Sequence, residues 1–145
     1  MPLIMLKEVK NKGGFAMVDN IITEMKNIAD NIENVTQVDY YEGQFEDLDS
    51  FIINPPAILI ELPEGVSNSK IADYFSQTVR LYLVTSSMKG LSNTSMYPFI
   101  DTVRNAFHNK AFKADNQIYS YVKSWSRLGI FPGFCVYEML ISVEV

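Results

Sequence analysis

The spacing of apolar residues changes period along the chain, and each change marks an element. From Val18 the apolar positions are Val18, Ile21, Ile22, Met25, Ile28, Ala29 and Ile32. They recur at three and four residues, which is one continuous stripe on a helix. Asp19, Glu24, Lys26, Asp30 and Glu33 take the other side. Residues 35–41 are rich in β-branched and aromatic side chains and predict a strand, ended by Gly43. The acidic stretch 42–50 accommodates a short helical turn. Pro55-Pro56 forces an extended entry into the run Ala57-Ile58-Leu59-Ile60-Glu61-Leu62. That run is apolar on both faces, which predicts a central strand, and Pro63-Glu64-Gly65 is expected to end it.

Residues 70–86 switch to period two. Phe75, Val79, Leu81 and Leu83 share one parity, and Ser76, Thr78 and Arg80 share the other, as in a long strand with one buried face. Lys89-Gly90 ends it. A second helix is predicted to open near Thr94-Ser95 with Pro98 in its first turn, and carries Ile100, Val103 and Phe107 at helical spacing. Asn109 and Lys110 mark its end. Residues 116–130 predict another strand whose two parities are both mixed. Pro132-Gly133 is a turn signal. In the last strand, 134–145, Cys135, Tyr137, Met139, Ile141 and Val143 face one way and Glu138, Ser142 and Glu144 the other.

The pattern is α-β-β-β-α-β-β. Adjacent strands with short turns predict an α+β fold: a mainly antiparallel, four- to five-stranded sheet with two helices on one face. At 145 residues the chain fits one domain, 1–145, with residues 1–17 as an N-terminal segment. The apolar start, Met1 to Leu6, runs at once into Lys7-Glu8 and reads as a local segment or tail rather than a signal peptide. No stretch approaches the roughly 18 apolar residues of a membrane span. The single cysteine excludes an internal disulfide, so the default is a soluble intracellular protein.

Net charge is −5, which argues against a nucleic-acid surface built on bulk charge. Its distribution changes the picture more. Residues 1–66 hold 12 acidic and 4 basic side chains, and residues 67–145 hold 5 acidic and 8 basic. Chance interleaving of sequence halves in a sheet accounts for such a split. The sharper alternative is a dipolar subunit whose acidic face meets the basic face of the next copy, a head-to-tail contact that closes into rings.

Candidate chemistry is sparse. His108 and Cys135 are the only residues of their kinds, with nothing to bring them together and no G-x-S-x-G elbow. His108 is expected in the last turn of a helix, where partial positive charge suits the dipole. Cys135 is expected to be a small core residue. Glu42, Glu46, Asp47 and Asp49 form the one carboxylate cluster, without the spacing of an EF-hand loop. It reads as a solvated acidic loop, and a small carboxylate-dependent enzyme is the alternative. No phosphate cradle, cofactor motif or metal motif is present in the sequence. Tyr119, Tyr121 and Trp125, interleaved with Lys123 and Arg127, suggest a stacking platform for single-stranded nucleic acid, although aromatic residues on strands more often serve cores or subunit contacts.

Three blocks then line up: the amphipathic helix from Val18 to Ile32; the proline-led strand Asn54-Pro55-Pro56-Ala57-Ile58-Leu59-Ile60-Glu61; and Met96-Tyr97-Pro98-Phe99-Ile100-Asp101-Thr102-Val103-Arg104-Asn105-Ala106-Phe107 after a long strand, with Val136-Tyr137-Glu138 in the last. In order and spacing they resemble the tail-terminator (tail-completion) proteins of Mu-like prophages, over about residues 18–145. The resemblance implies a small α+β protein, not an enzyme, that assembles in the host bacterial cytoplasm and ends up in the virion tail. There it forms a homo-oligomeric ring, often hexameric, that caps the tail tube and docks to the head-completion or connector protein. It implies no cofactor, no membrane and no specific nucleic acid as partner. The family fixes no contact residues. Candidate interface residues on this chain are Tyr40, Tyr41, Glu46, Asp47, Arg80, Lys123 and Arg127.

Overall fold

The computed structural model describes residues 17–68, 74–86, 92–113 and 117–144. The expectations placed on the N-terminal segment, on Lys89-Gly90 and on the start of the long strand at 70–73 lie outside the described residues. In chain order the elements are α1 (Met17–Asp30), β1 (Gln37–Tyr40), a 3-10 turn (Gln44–Glu46), β2 (Ala57–Asn68), β3 (Tyr74–Ser86), α2 (Ser92–Phe107), β4 (Lys110–Ala111), β5 (Tyr119–Phe131) and β6 (Phe134–Glu144).

The apolar stripe of α1 points inward: Ile21, Met25 and Ala29 are fully buried. They join Ile100, Val103 and Phe107 of α2 and the inward residues of three strands, among them Ile58, Leu81 and Met139, in one cluster. Both helices therefore cover the same face of the sheet. Both helix exits use an asparagine in the left-handed region, Asn34 (φ 67°) and Asn109 (φ 55°). Asparagine tolerates that region at helix ends. Pro98 falls inside α2 rather than in its first turn, because the helix opens at Ser92. A proline there forgoes one backbone hydrogen bond. The Thr102 hydroxyl donates to the Pro98 carbonyl (2.9 Å).

The sheet has six strands in the order β1-β2-β3-β6-β5-β4. It is mixed: β1 and β2 run parallel and every other pair is antiparallel. The expected order of elements holds, with two corrections. The two-residue β4 adds a strand too short to leave a periodic signal. The parallel pair requires a crossover, and residues 41–56 supply it, passing over the face away from the helices. Tyr41, Phe45, Leu48 and Ile53 of this crossover pack on Ala57, Leu59, Tyr82, Val84 and Val136. That cover explains why residues 57–60 are apolar on both faces, although β2 is second from the edge. Pro63 does not end β2. The strand runs on to Asn68 through a bulge between Glu61 and Glu64, a setting in which proline costs no ladder hydrogen bond.

Candidate functional site at the sheet edges

The first edge is β1 with the crossover behind it. Gln37 staples the two: its Nε2 donates to the Ile52 carbonyl (3.1 Å), and its Oε1 accepts from Asn54 N–H (2.6 Å). Gly43, in the left-handed region at φ 87°, turns the chain. The buried Gln44 then reaches back, donating to the Tyr40 carbonyl (2.9 Å) and accepting from Glu42 N–H (2.6 Å). Tyr41 and Phe45 anchor the crossover, with ring centroids 4.4 Å and 5.3 Å from Tyr82. Burial raises the Tyr41 hydroxyl pKa above its ordinary value, and the nearby Glu46 and Glu61 add to the rise. Asp39, Glu42, Glu46, Asp47 and Asp49 are all exposed, and residues 37–50 contain no lysine or arginine.

The opposite edge is β5, with β4 covering its start. The end of α2 fixes it. The Ser120 hydroxyl donates to the Phe107 carbonyl (2.5 Å), and Val122 N–H donates to His108 Nδ1 (3.0 Å). His108 follows the last helical residue, Phe107, and its backbone N–H closes the final turn on Arg104 O (2.8 Å). Its Nδ1 accepts the bond from Val122 N–H and so ties the helix end to β5. Lys110, Lys113, Lys123 and Arg127 are exposed along this edge, and neither β4 nor β5 contains an aspartate or glutamate.

Two bulges, at Lys123 and Leu128, shift β5 against β6. Their effect on the aromatic residues is decisive. Directly opposed residues share a face. Tyr119 and Tyr121 lie opposite Glu144 and Ser142, on the side away from the helices, whereas Trp125 lies opposite the core residue Met139. Tyr119 and Tyr121 stack on each other (6.3 Å between centroids), but the three rings do not form one platform. Uninterrupted alternation would have aligned them, and the bulge at Lys123 separates them. Trp125 and Arg127 instead sit near Tyr137. Burial raises the Tyr137 phenol pKa, the neighbouring Tyr97 adds to this, and Arg127 opposes it.

The interface candidates thus divide. Tyr40, Glu46 and Asp47 are exposed on the acidic edge, and Lys123 and Arg127 on the basic one. Tyr41 is half-buried among the rings just described. Arg80 is held between strands: its Nη1 lies 2.7 Å from Glu61 Oε1 and its Nε 3.3 Å from Glu138 Oε2. The second contact is close but not aligned as a hydrogen bond. Tyr82 also donates to Glu61 (3.2 Å). Burial works against the Arg80 charge, and the hydrogen bonds with Glu61 and Tyr82 outweigh it, so its pKa is raised. Sequence reading missed Tyr97 and Leu128, both well exposed; Leu128 is apolar beside a bulge, and only Gly129 next to it hinted at the irregularity.

The carboxylates Glu42, Glu46, Asp47 and Asp49 face solvent and are not among the residues that line a cleft of about 450 Å³ between Pro55, Pro56, Thr85, Pro98 and Phe99. Among the described residues no three His, Cys, Asp or Glu side chains stand close enough to hold a metal ion. No described helix is long and apolar enough to cross a membrane. No protein-family model matches the chain, and no curated protein matches it.

Proposed function

We propose that this chain is a structural assembly protein of the tail-terminator type. On this reading it forms a homo-oligomeric ring that caps a phage tail tube, stops its growth and offers a surface to the head-completion or connector protein. It acts without catalysis, first in the host cytoplasm and then in the virion tail. The observation that carries the reading is the charge segregation. Five acidic side chains and no basic one line residues 37–50 at one edge of the sheet, and the strands at the opposite edge carry only basic charges. Complementary patches on opposite sides of a subunit favour head-to-tail contacts, which generate rings when the rotation closes. The resemblance of the helix and strand blocks to tail terminators supplies the tube as the ring's target.

The test is tube assembly. Tube protein from the same genome is polymerised with and without this chain, and tube lengths are measured by electron microscopy. The reading expects shorter tubes carrying a ring at one end. Tubes of unchanged length with bare ends would remove it.

A further inference from the structure

Resting on the ring reading above, we propose its contact: the β5 edge of one copy docks antiparallel against the acidic β1 edge of the next. The β5 edge is open. β4 pairs with Tyr119 and Ser120 only, and among the described residues no strand covers the outer side from Tyr121 to Phe131. Val122 turns its N–H outward, towards His108. Opposite it on β6 is Ile141, and two and four residues back lie Met139 and Tyr137, opposite Trp125 and Arg127. Along an unbulged antiparallel strand such positions are equivalent, and β6 pairs without interruption with β3. Trp125 and Arg127 therefore also present their N–H and C=O groups outward. Beside this row Trp125 is 47% exposed and Leu128 44% exposed.

An open edge invites indiscriminate pairing unless something selects the partner. Here Lys123 and Arg127 select. Two β5 edges meeting antiparallel about Trp125 would set Lys123 of one copy against Arg127 of the other, and like charges directly opposed are unfavourable. A strand flanked by carboxylates meets attraction instead, and the β1 edge of a second copy is such a strand, with Asp39 within it and Glu42, Glu46 and Asp47 behind it.

The strand directions agree. β1 and β2 run one way, β3 the other, β6 back again and β5 opposite to it. β5 is thus antiparallel to β1, and a second copy in the same orientation brings its β1 antiparallel to the first copy's β5. The ladder itself is short, because β1 has four residues and Gln44 already occupies the Tyr40 carbonyl. Charge and the exposed rings of Tyr40 and Trp125 provide the rest of the contact. Each docked pair leaves one acidic and one basic edge free, the head-to-tail arrangement that becomes a ring when the rotation between copies closes.

A charge-swap mixture tests this. K123E/R127E makes both edges acidic, and E42K/E46K/D47K turns the acidic edge basic. All five side chains are exposed, and circular dichroism confirms folding before use. The expected result has three parts: wild type assembles, each variant alone sediments as a monomer at the same concentration, and an equimolar mixture regains assembly with even subunit numbers. Wild-type assembly that survives in both variants overturns this contact and leaves the ring reading standing. Loss of assembly in K123E/R127E without rescue by mixing overturns the β1 half of the contact. Wild type that stays monomeric, alone and with tube ends, overturns the ring reading and this contact with it.

Discussion

The two edges of the sheet differ in how they are finished as much as in charge. The β1 edge is partly occupied from within: Gln44 takes the Tyr40 carbonyl, Gln37 ties the strand to the end of the crossover, and Tyr41 and Phe45 pin the crossover to Tyr82 on the outer face. The β5 edge is fixed at its start by the end of α2 and at its end by Phe131 stacking on Phe45; between them, among the described residues, no strand covers its outer side. One edge is an acidic relief. The other is an open basic row whose bulges and cations restrict what can pair with it. On the proposed ring reading such asymmetry gives docking a direction, since two identical open edges would pair without one.

Substitutions at the anchors should separate the two edges by size of effect. Phe107 is fully buried beneath the start of β5. Phe107→Ala should cost about 4 kcal/mol in urea unfolding and raise amide exchange at Val122 more than at Val38. Phe45 is half-buried, stacked 5.1 Å from Phe131. Phe45→Ala should cost about 2 kcal/mol and open the crossover to limited proteolysis while the start of β5, around Val122, stays protected. If both substitutions loosened both edges equally, the separate anchoring of the two would be refuted. Gln44→Ala strands the Tyr40 carbonyl and the Glu42 N–H, worth about 1–2 kcal/mol at a partly exposed site, with local exchange at residues 40–42 as the readout.

Alkaline pH should act on the crossover more gently. Burial raises the Tyr41 and Tyr82 phenol pKa values. A raised folded-state value means that this contribution is intact below the unfolded value of about 10 and is lost as pH rises through the folded values. Stability followed by near-ultraviolet circular dichroism should therefore hold up to that range and fall above it, and Tyr82→Phe should flatten the fall. The smallest effect on stability belongs to Lys123→Ala, under about 0.5 kcal/mol, yet it should weaken self-association. A large loss of stability there would assign Lys123 to the fold instead of to docking.

Much of this architecture was legible in the sequence, because burial writes itself into period. The α1 stripe, the inward parity Val79, Leu81 and Leu83 of β3, and the inward series Cys135, Tyr137, Met139, Ile141 and Val143 were readable, since each faces the core under the helices. The one buried face expected of β3 was not the whole of it, because Tyr82 and Val84 on its other face are buried under the crossover. The double-sided apolar run at 57–60 correctly signalled cover on both faces, but not that a crossover loop supplies the second cover. Pro63 misled because a bulge removes the hydrogen bond it would otherwise break. The mixed parity of residues 119–131 was unreadable for the same reason: two bulges re-phase the strand, and alternation alone placed Trp125 beside Tyr121. Charge asymmetry between the halves of the chain was visible. Its meaning was not, because only strand order reveals that the acidic 37–50 and the basic β5 occupy opposite edges.

The most direct measurement is native mass spectrometry of the purified wild-type chain, in low and in physiological salt and with tube ends present. The account predicts one closed species of fixed subunit number, weakened by salt as contacts between exposed charges should be. A chain that remains a monomer in every one of those conditions, or an isologous dimer indifferent to salt, would contradict it.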